Sequence, residues 1–211
     1  MSPDLLARRE RRELCDLALV LGEDAPTLCG DWTSKDLVTH LLVREYSPIG
    51  AAGLLVSPLS WVTEREMARI GKKDFPVLVE RLRKHGLTPY SIRPVDKAFN
   101  TLEYFVHHED LRRAQPAWEP RTLDARDENA LWSALQAFGR MMVRRAGVPV
   151  QVRRTDTGKT ATLRGGADPA VLSGLPSEIC LFLFGRDQLH GLRLDGPEDH
   201  RKRLGSADLG L

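Results

Sequence analysis

Apolar residues recur at helical spacing through the first two-thirds of the chain. Over residues 3 to 21, Leu14, Leu17, Ala18 and Leu21 follow the i, i+3, i+4, i+7 rule of one buried face, and Gly22 supplies a stop. The stretch "WTSKDLVTHLL" carries a helix start: Thr33 caps, Asp36 sits three residues on, and Trp32 can pack on Leu37 as a hydrophobic staple. Prolines and glycines interrupt residues 48 to 72, where helical turns are expected around 60 to 70. "DFPVLVERLRKHG" reads as a short amphipathic helix, with Asp74 at its start, basic residues at its end and Gly86 beyond. Two further helices are expected at about 97 to 114 and about 125 to 146, the latter with Leu131, Leu135, Phe138 and Met142 on one face.

The period then changes. "VPVQVRRTDTGKTATLRGG" alternates about a Thr-Asp-Thr-Gly turn and reads as a β-hairpin. "LPSEICLFLFGR" reads as a short buried helix, with Pro176 in its first turn and Gly185 ending it, and "QLHGLRLDG" as one more strand. The fold class is therefore mainly α with a small α/β module at the C-terminal end. The expected cut is near Gly147, giving a helical bundle over 1–146 and a module over 147–211.

Composition narrows the function classes. The 211 residues are 42% apolar and 28% charged, a balance that can bury a real core. With 31 basic against 29 acidic residues the net charge is +2, which gives no electrostatic case for nucleic acid or a membrane surface. The run "RRERR" reads as a solvated helix face. No apolar run reaches signal-peptide or membrane-span length, and Cys15, Cys29 and Cys180 form no CxxC pair. A cytoplasmic protein with reduced thiols is the expectation.

The chemistry concentrates in "NTLEYFVHHEDLRRA" (100 to 114), where two adjacent histidines stand among three carboxylates. At 100° per residue, with Glu103 set to zero, His107 falls at about 40° and Asp110 at about 340°. The apolar arc formed by Leu102, Tyr104, Val106 and Leu111 surrounds them, while His108 and Glu109 fall toward the edge or outside and Arg112 points away. Burying a carboxylate and an imidazole without partners costs several kcal/mol. A divalent cation is one solution, since Glu and His at i and i+4 aim an oxygen and a nitrogen at one point. Another is a capping box in which Asn100 caps "NTLE", Glu103 is its reciprocal partner and His107 is a core histidine bonded to a carbonyl. His40, between Leu37 and Val43 on the second helix, could add a second nitrogen, and helical bundles build metal sites this way. Three protein donors plus an open position is the arrangement of catalytic zinc.

"GDWTSKDLVTHLLVRE" followed by "EYFVHHEDLRRA" resembles the metal-binding domain of the mycothiol-dependent maleylpyruvate isomerase family, a branch of the DinB-like four-helix bundles. The matching elements are Trp32-Thr33, Asp36-Leu37, His40-Leu41, Glu103 with His107, and Asp110-Leu111. "LSGLPSEICLFLFGR" is similar to an element of that family's small sterol-carrier-like C-terminal module. The resemblance implies a divalent ion, zinc or similar, on His40, Glu103 and His107. It also implies Asp110 orienting a ligand imidazole, and Arg186 as a contact for substrate carboxylate or thiol cofactor. Arg186 capping the preceding helix carbonyls is the alternative. Arg44, one turn beyond His40, could recognise an anion or pair with an acidic neighbour. The His-His-Glu-Asp run departs from relatives that have one histidine followed by an apolar residue.

The function this implies is a thiol-dependent isomerase or S-transferase, with mycothiol as the small-molecule thiol and an electrophile as its partner. A non-catalytic metal- or ligand-binding protein of the same fold and a metal-dependent hydrolase are the alternatives.

Overall fold

The computed structural model describes residues 4–46, 60–84 and 94–210. They divide into two compact units, Asp4–Glu119 and the residues from Pro120 onward.

The first unit is helical. It comprises α1 (Asp4–Leu21), α2 (Ser34–Tyr46), α3 (Ser60–Ile70), α4 (Phe75–Arg83) and α5 (Pro94–Arg113). Its core joins Leu14, Cys15 and Ala18 of α1 to Leu37, Leu41 and Leu42 of α2, Leu78 and Leu82 of α4, and Tyr104 and Leu111 of α5. Leu17 and Leu21 pack against it half-buried, so the predicted face of α1 is the one that is buried. Gly22, at φ 91°, then carries the chain out through the left-handed region that glycine enters without steric cost. The start of α2 is as expected. The Asp36 carboxylate accepts from the Thr33 amide at 3.0 Å, and the Thr33 hydroxyl accepts from the Asp36 amide at 3.3 Å. Deeper in, Glu45 of α2 accepts from the Tyr104 hydroxyl at 2.5 Å and from Arg11 of α1. The Arg11 guanidinium lies 4.5 Å over the Tyr104 ring and donates to the Leu82 carbonyl of α4. This buried knot ties four helices together and fixes α2 against α5. Gly86, expected to end α4, and the interrupted segment before residue 60 lie outside the described residues.

Two expectations about α5 fail. The helix begins at Pro94, so Asn100 stands in its interior and no capping box forms at "NTLE"; Asn100 accepts instead from Arg44. Every residue from Thr101 to Leu111 is buried, His108 and Glu109 included. The single inward arc read from the sequence does not exist, because α5 is central and the charges on its other arcs find partners. His108 Nδ1 lies 2.8 Å from the Glu10 carboxylate of α1, and Glu109 accepts from Arg112 at 2.8 Å and from Arg113 at 2.6 Å.

The second unit comprises α6 (Ala125–Met142), β1 (Val150–Arg154), β2 (Thr160–Arg164), β3 (Ala170–Gly174), α7 (Pro176–Leu183), β4 (Arg193–Asp195) and α8 (Glu198–Gly205). The strands lie in the order β2-β1-β3-β4, with β1–β2 and β3–β4 antiparallel and β1–β3 parallel. The hairpin, α7 and the last strand are as expected. β3 and α8 are not: β3 is five residues with one polar position, and α8 buries only Leu204. The long helix α6 groups with these residues, so the division falls between 119 and 120 and not near Gly147. Two contacts explain this. The Glu128 carboxylate of α6 accepts from the Ser177 amide at 2.9 Å and hydroxyl at 2.8 Å, at the start of α7. Arg154 of β1, 1% exposed, donates to Asn129 of α6 at 2.6 Å and forms a fork with Asp156. The chain is thus mainly α, with a small four-stranded sheet in its C-terminal part. Among the described residues no helix is long and apolar enough to cross a membrane.

Candidate metal centre

His40 projects from the middle of α2 and Glu103 and His107 from successive turns of α5. One donor atom from each lies within 4.8 Å of the others. The two imidazoles meet edge to face, with ring centroids 5.2 Å apart, and the Trp32 ring lies tilted against His40 at 5.0 Å. Nε2 of His107 stands 3.6 Å from Oε2 of Glu103, and Nε of Arg44 stands 3.4 Å from the same oxygen. All three donor residues are buried.

The electrostatics sort these groups by role. Burial, reinforced by the positive His107 nearby, pushes His40 down to about 3, so its imidazole is neutral near pH 7. Its Nδ1 is buried with no hydrogen-bond partner. Burial opposes charge on His107 too, but hydrogen bonds to Asp110, Cys29 and Glu103 overcome it and hold that imidazole well above its ordinary range. Burial likewise opposes the Glu103 anion, yet Arg44 and His107 bring it down to about 2. Asp110, fully buried, places Oδ2 3.0 Å from Nδ1 of His107.

Arg44 is half-buried. Besides Glu103 and Asn100 it faces the Phe99 ring at 4.9 Å, while its Nε and one terminal nitrogen make no hydrogen bond. Arg186 belongs to the second unit, where it donates to the Phe184 carbonyl at 2.5 Å, the helix-capping contact weighed against a ligand role. The sequence passed over Cys29, whose thiol lies 3.1 Å from Asp110 and 3.8 Å from His107. No local signal marks it, since its neighbours in space lie about eighty positions away in the chain.

Two nitrogens and one oxygen in a buried cluster, one nitrogen unsatisfied and uncharged, fit a borderline divalent ion such as zinc. The alternative for His107, a core histidine bonded to a carbonyl, is not what is seen: its nitrogens face the side chains of Asp110, Cys29 and Glu103.

No protein-family model and no curated protein sequence matches the chain. Two solved structures do. A crystal structure of the mycothiol-dependent maleylpyruvate isomerase superposes with a TM-score of 0.62 at 17% identity, covering 91% of each chain. A mutant of the same enzyme gives 0.56 at 16% identity, covering 84% of this chain and 85% of that one. At such identity the likeness is one of fold, and it extends over nearly the whole of both chains.

Proposed function

We propose that this chain binds one divalent metal ion through His40, Glu103 and His107 and uses it in a thiol-dependent isomerisation or S-transfer, with mycothiol as the thiol. The observation that carries the metal assignment is the buried, partnerless Nδ1 of His40 beside a carboxylate and a second imidazole. The fold shared with a mycothiol-dependent isomerase supports the activity. A bound divalent ion would lower the pKa of a coordinated thiol and polarise a substrate carbonyl.

The protein's own groups are arranged to support this. His40 has no proton to lose before it can ligate. Asp110 holds the Nδ1 proton of His107 and so leaves Nε2 as the edge facing Glu103. Arg44 keeps Glu103 ionised and adds positive charge beside the cluster, suited to a substrate carboxylate.

Incubation of the zinc-loaded protein with mycothiol and a panel of conjugated cis-alkenes and alkyl electrophiles tests the reading. Double-bond isomerisation or thioether formation supports it. Tight metal with no turnover across the panel overturns the catalytic part and favours a metal-binding protein of the same fold.

A further inference from the structure

His107 is two-sided. Its Nε2 faces Glu103, and its Nδ1 faces a different pair of donors, the Asp110 carboxylate and the Cys29 thiol. We infer that Cys29, Asp110 and Nδ1 of His107 form a second cation site, suited to a thiophilic ion, which competes with the His40–Glu103 side for one imidazole. The thiol site is independent of the proposed thiol-dependent activity; only the competition rests on the metal assignment of His40 and Glu103.

The separations carry the inference. Around a tetrahedral ion bound by one sulfur, one nitrogen and one carboxylate oxygen, neighbouring donors stand about 3.3 to 3.6 Å apart. Here sulfur to nitrogen is 3.8 Å, sulfur to oxygen 3.1 Å and nitrogen to oxygen 3.0 Å. Each differs from the tetrahedral spacing by at most about 0.5 Å. The three residues form one of the compact sets of His, Cys, Asp and Glu donors in the molecule.

The donors are held in place from both sides. Asp110 and His107 lie one turn apart on a rigid, buried helix. The loop carrying Cys29 is pinned to that helix by the Leu28 amide, which donates to the Asp110 carbonyl at 3.1 Å. Within the loop, Thr27 accepts from the Cys29 amide at 3.1 Å and donates to the Trp32 carbonyl at 2.8 Å. Cys29 is half-buried, which leaves an approach from solvent, while Asp110 is fully enclosed.

Selectivity follows from the donors. Thiolate favours zinc, cadmium and copper(I) over manganese or magnesium, whereas the His40 side offers only nitrogen and oxygen. Binding at Cys29 releases the thiol proton to solvent. A neutral imidazole has one lone pair, so a single His107 serves Nε2 or Nδ1, not both. Soft ions therefore draw the ring to the Cys29 side, and harder ions leave it with His40 and Glu103.

The reduced, metal-free full-length chain titrated with Cd²⁺ and followed by ultraviolet absorption tests this. A thiolate-to-cadmium band corresponding to one sulfur per chain is expected in the wild type, retained in His40→Ala and Glu103→Gln, and reduced at least tenfold in Cys29→Ser and Cys29→Ala. Absence of the band in the wild type, or its survival in both Cys29 variants, overturns the thiol site. Should the Cys29 variants fold poorly, ¹⁵N spectra of the wild-type ¹¹³Cd adduct decide: cadmium coupling to Nδ1 of His107 supports the site, and coupling to Nε2 alone overturns it. Failure of the His40 centre looks different. There His40→Ala would leave zinc and cadmium binding unchanged while the Cys29-dependent band persists.

Discussion

His107 and His108 are neighbours in the chain, yet they illustrate two ways of burying an imidazole. On the α1 side of α5, His108 meets Glu10 at 2.8 Å, with Glu13 at 4.0 Å from the ring and Arg9 at 3.9 Å from Glu10, so its charge partners are close by. On the α2 side, His40 faces His107 and Glu103 with a ring nitrogen unsatisfied, and Arg44 adds further N–H groups without hydrogen bonds. The second unit behaves like the first of these sides: Arg154 and Glu128 are buried with their hydrogen bonds made. Buried polar groups with closed partnerships hold a fold together. A buried group that lacks a partner costs stability, and its persistence points to a ligand.

The largest effect should separate the two histidines by metal content. His107→Ala is expected to weaken zinc binding more than about a hundredfold, since even outer partners of a ligand are worth about 10- to 100-fold. His108→Ala should leave zinc stoichiometry unchanged, as read by atomic absorption after gel filtration. Equal loss in both would erase the contrast.

Stability should separate them in the opposite sense. Truncating His108 removes the 2.8 Å partner of a fully buried Glu10 carboxylate and should cost about 3 kcal/mol in urea unfolding of the metal-free protein. Glu10→Gln combined with His108→Ala should recover part of that loss, because the buried negative charge is gone.

A third test uses pH. His40 is held at about 3 in the folded chain against about 6.5 when unfolded, so the unfolded state takes up its proton first. Its contribution is fully present above pH about 6.5 and is lost as pH falls toward 3. His40→Gln should flatten that acid limb in the metal-free protein. A slope unchanged by the substitution would mean that His40 is not the strained group.

The smallest effect concerns placement. Thr33→Ala removes the cap of α2 and should cost about 1 kcal/mol with zinc stoichiometry intact. A larger loss, with metal binding also impaired, would show that the cap positions His40 as well as closing the helix.

Much of this was legible in the chain because it depends on neighbours a few residues apart. The Thr33–Asp36 box, the glycine stop after α1, the hairpin and the turn into α7 are local devices, and each appears where the sequence puts it. So is the pairing of Glu103 with His107 across one helical turn. What local pattern does not carry lies at long range. His108 and Glu109 looked external because a helical wheel assumes one apolar face, and only packing reveals a helix surrounded on all sides. The strand β3 and the helix α8 carry too little apolar periodicity to announce themselves, and pairing with β1 and β4 defines the strand.

The sequence by itself determined which segments are helices or strands and which side chains could bear chemistry, because dihedral preference and short-range capping act within a few residues. Tertiary structure alone decided which imidazole is paired and which is left wanting. It also brought Cys29 to Asp110 and grouped α6 with the sheet. Those outcomes depend on burial, and burial is a property of surfaces that meet only after the chain has folded.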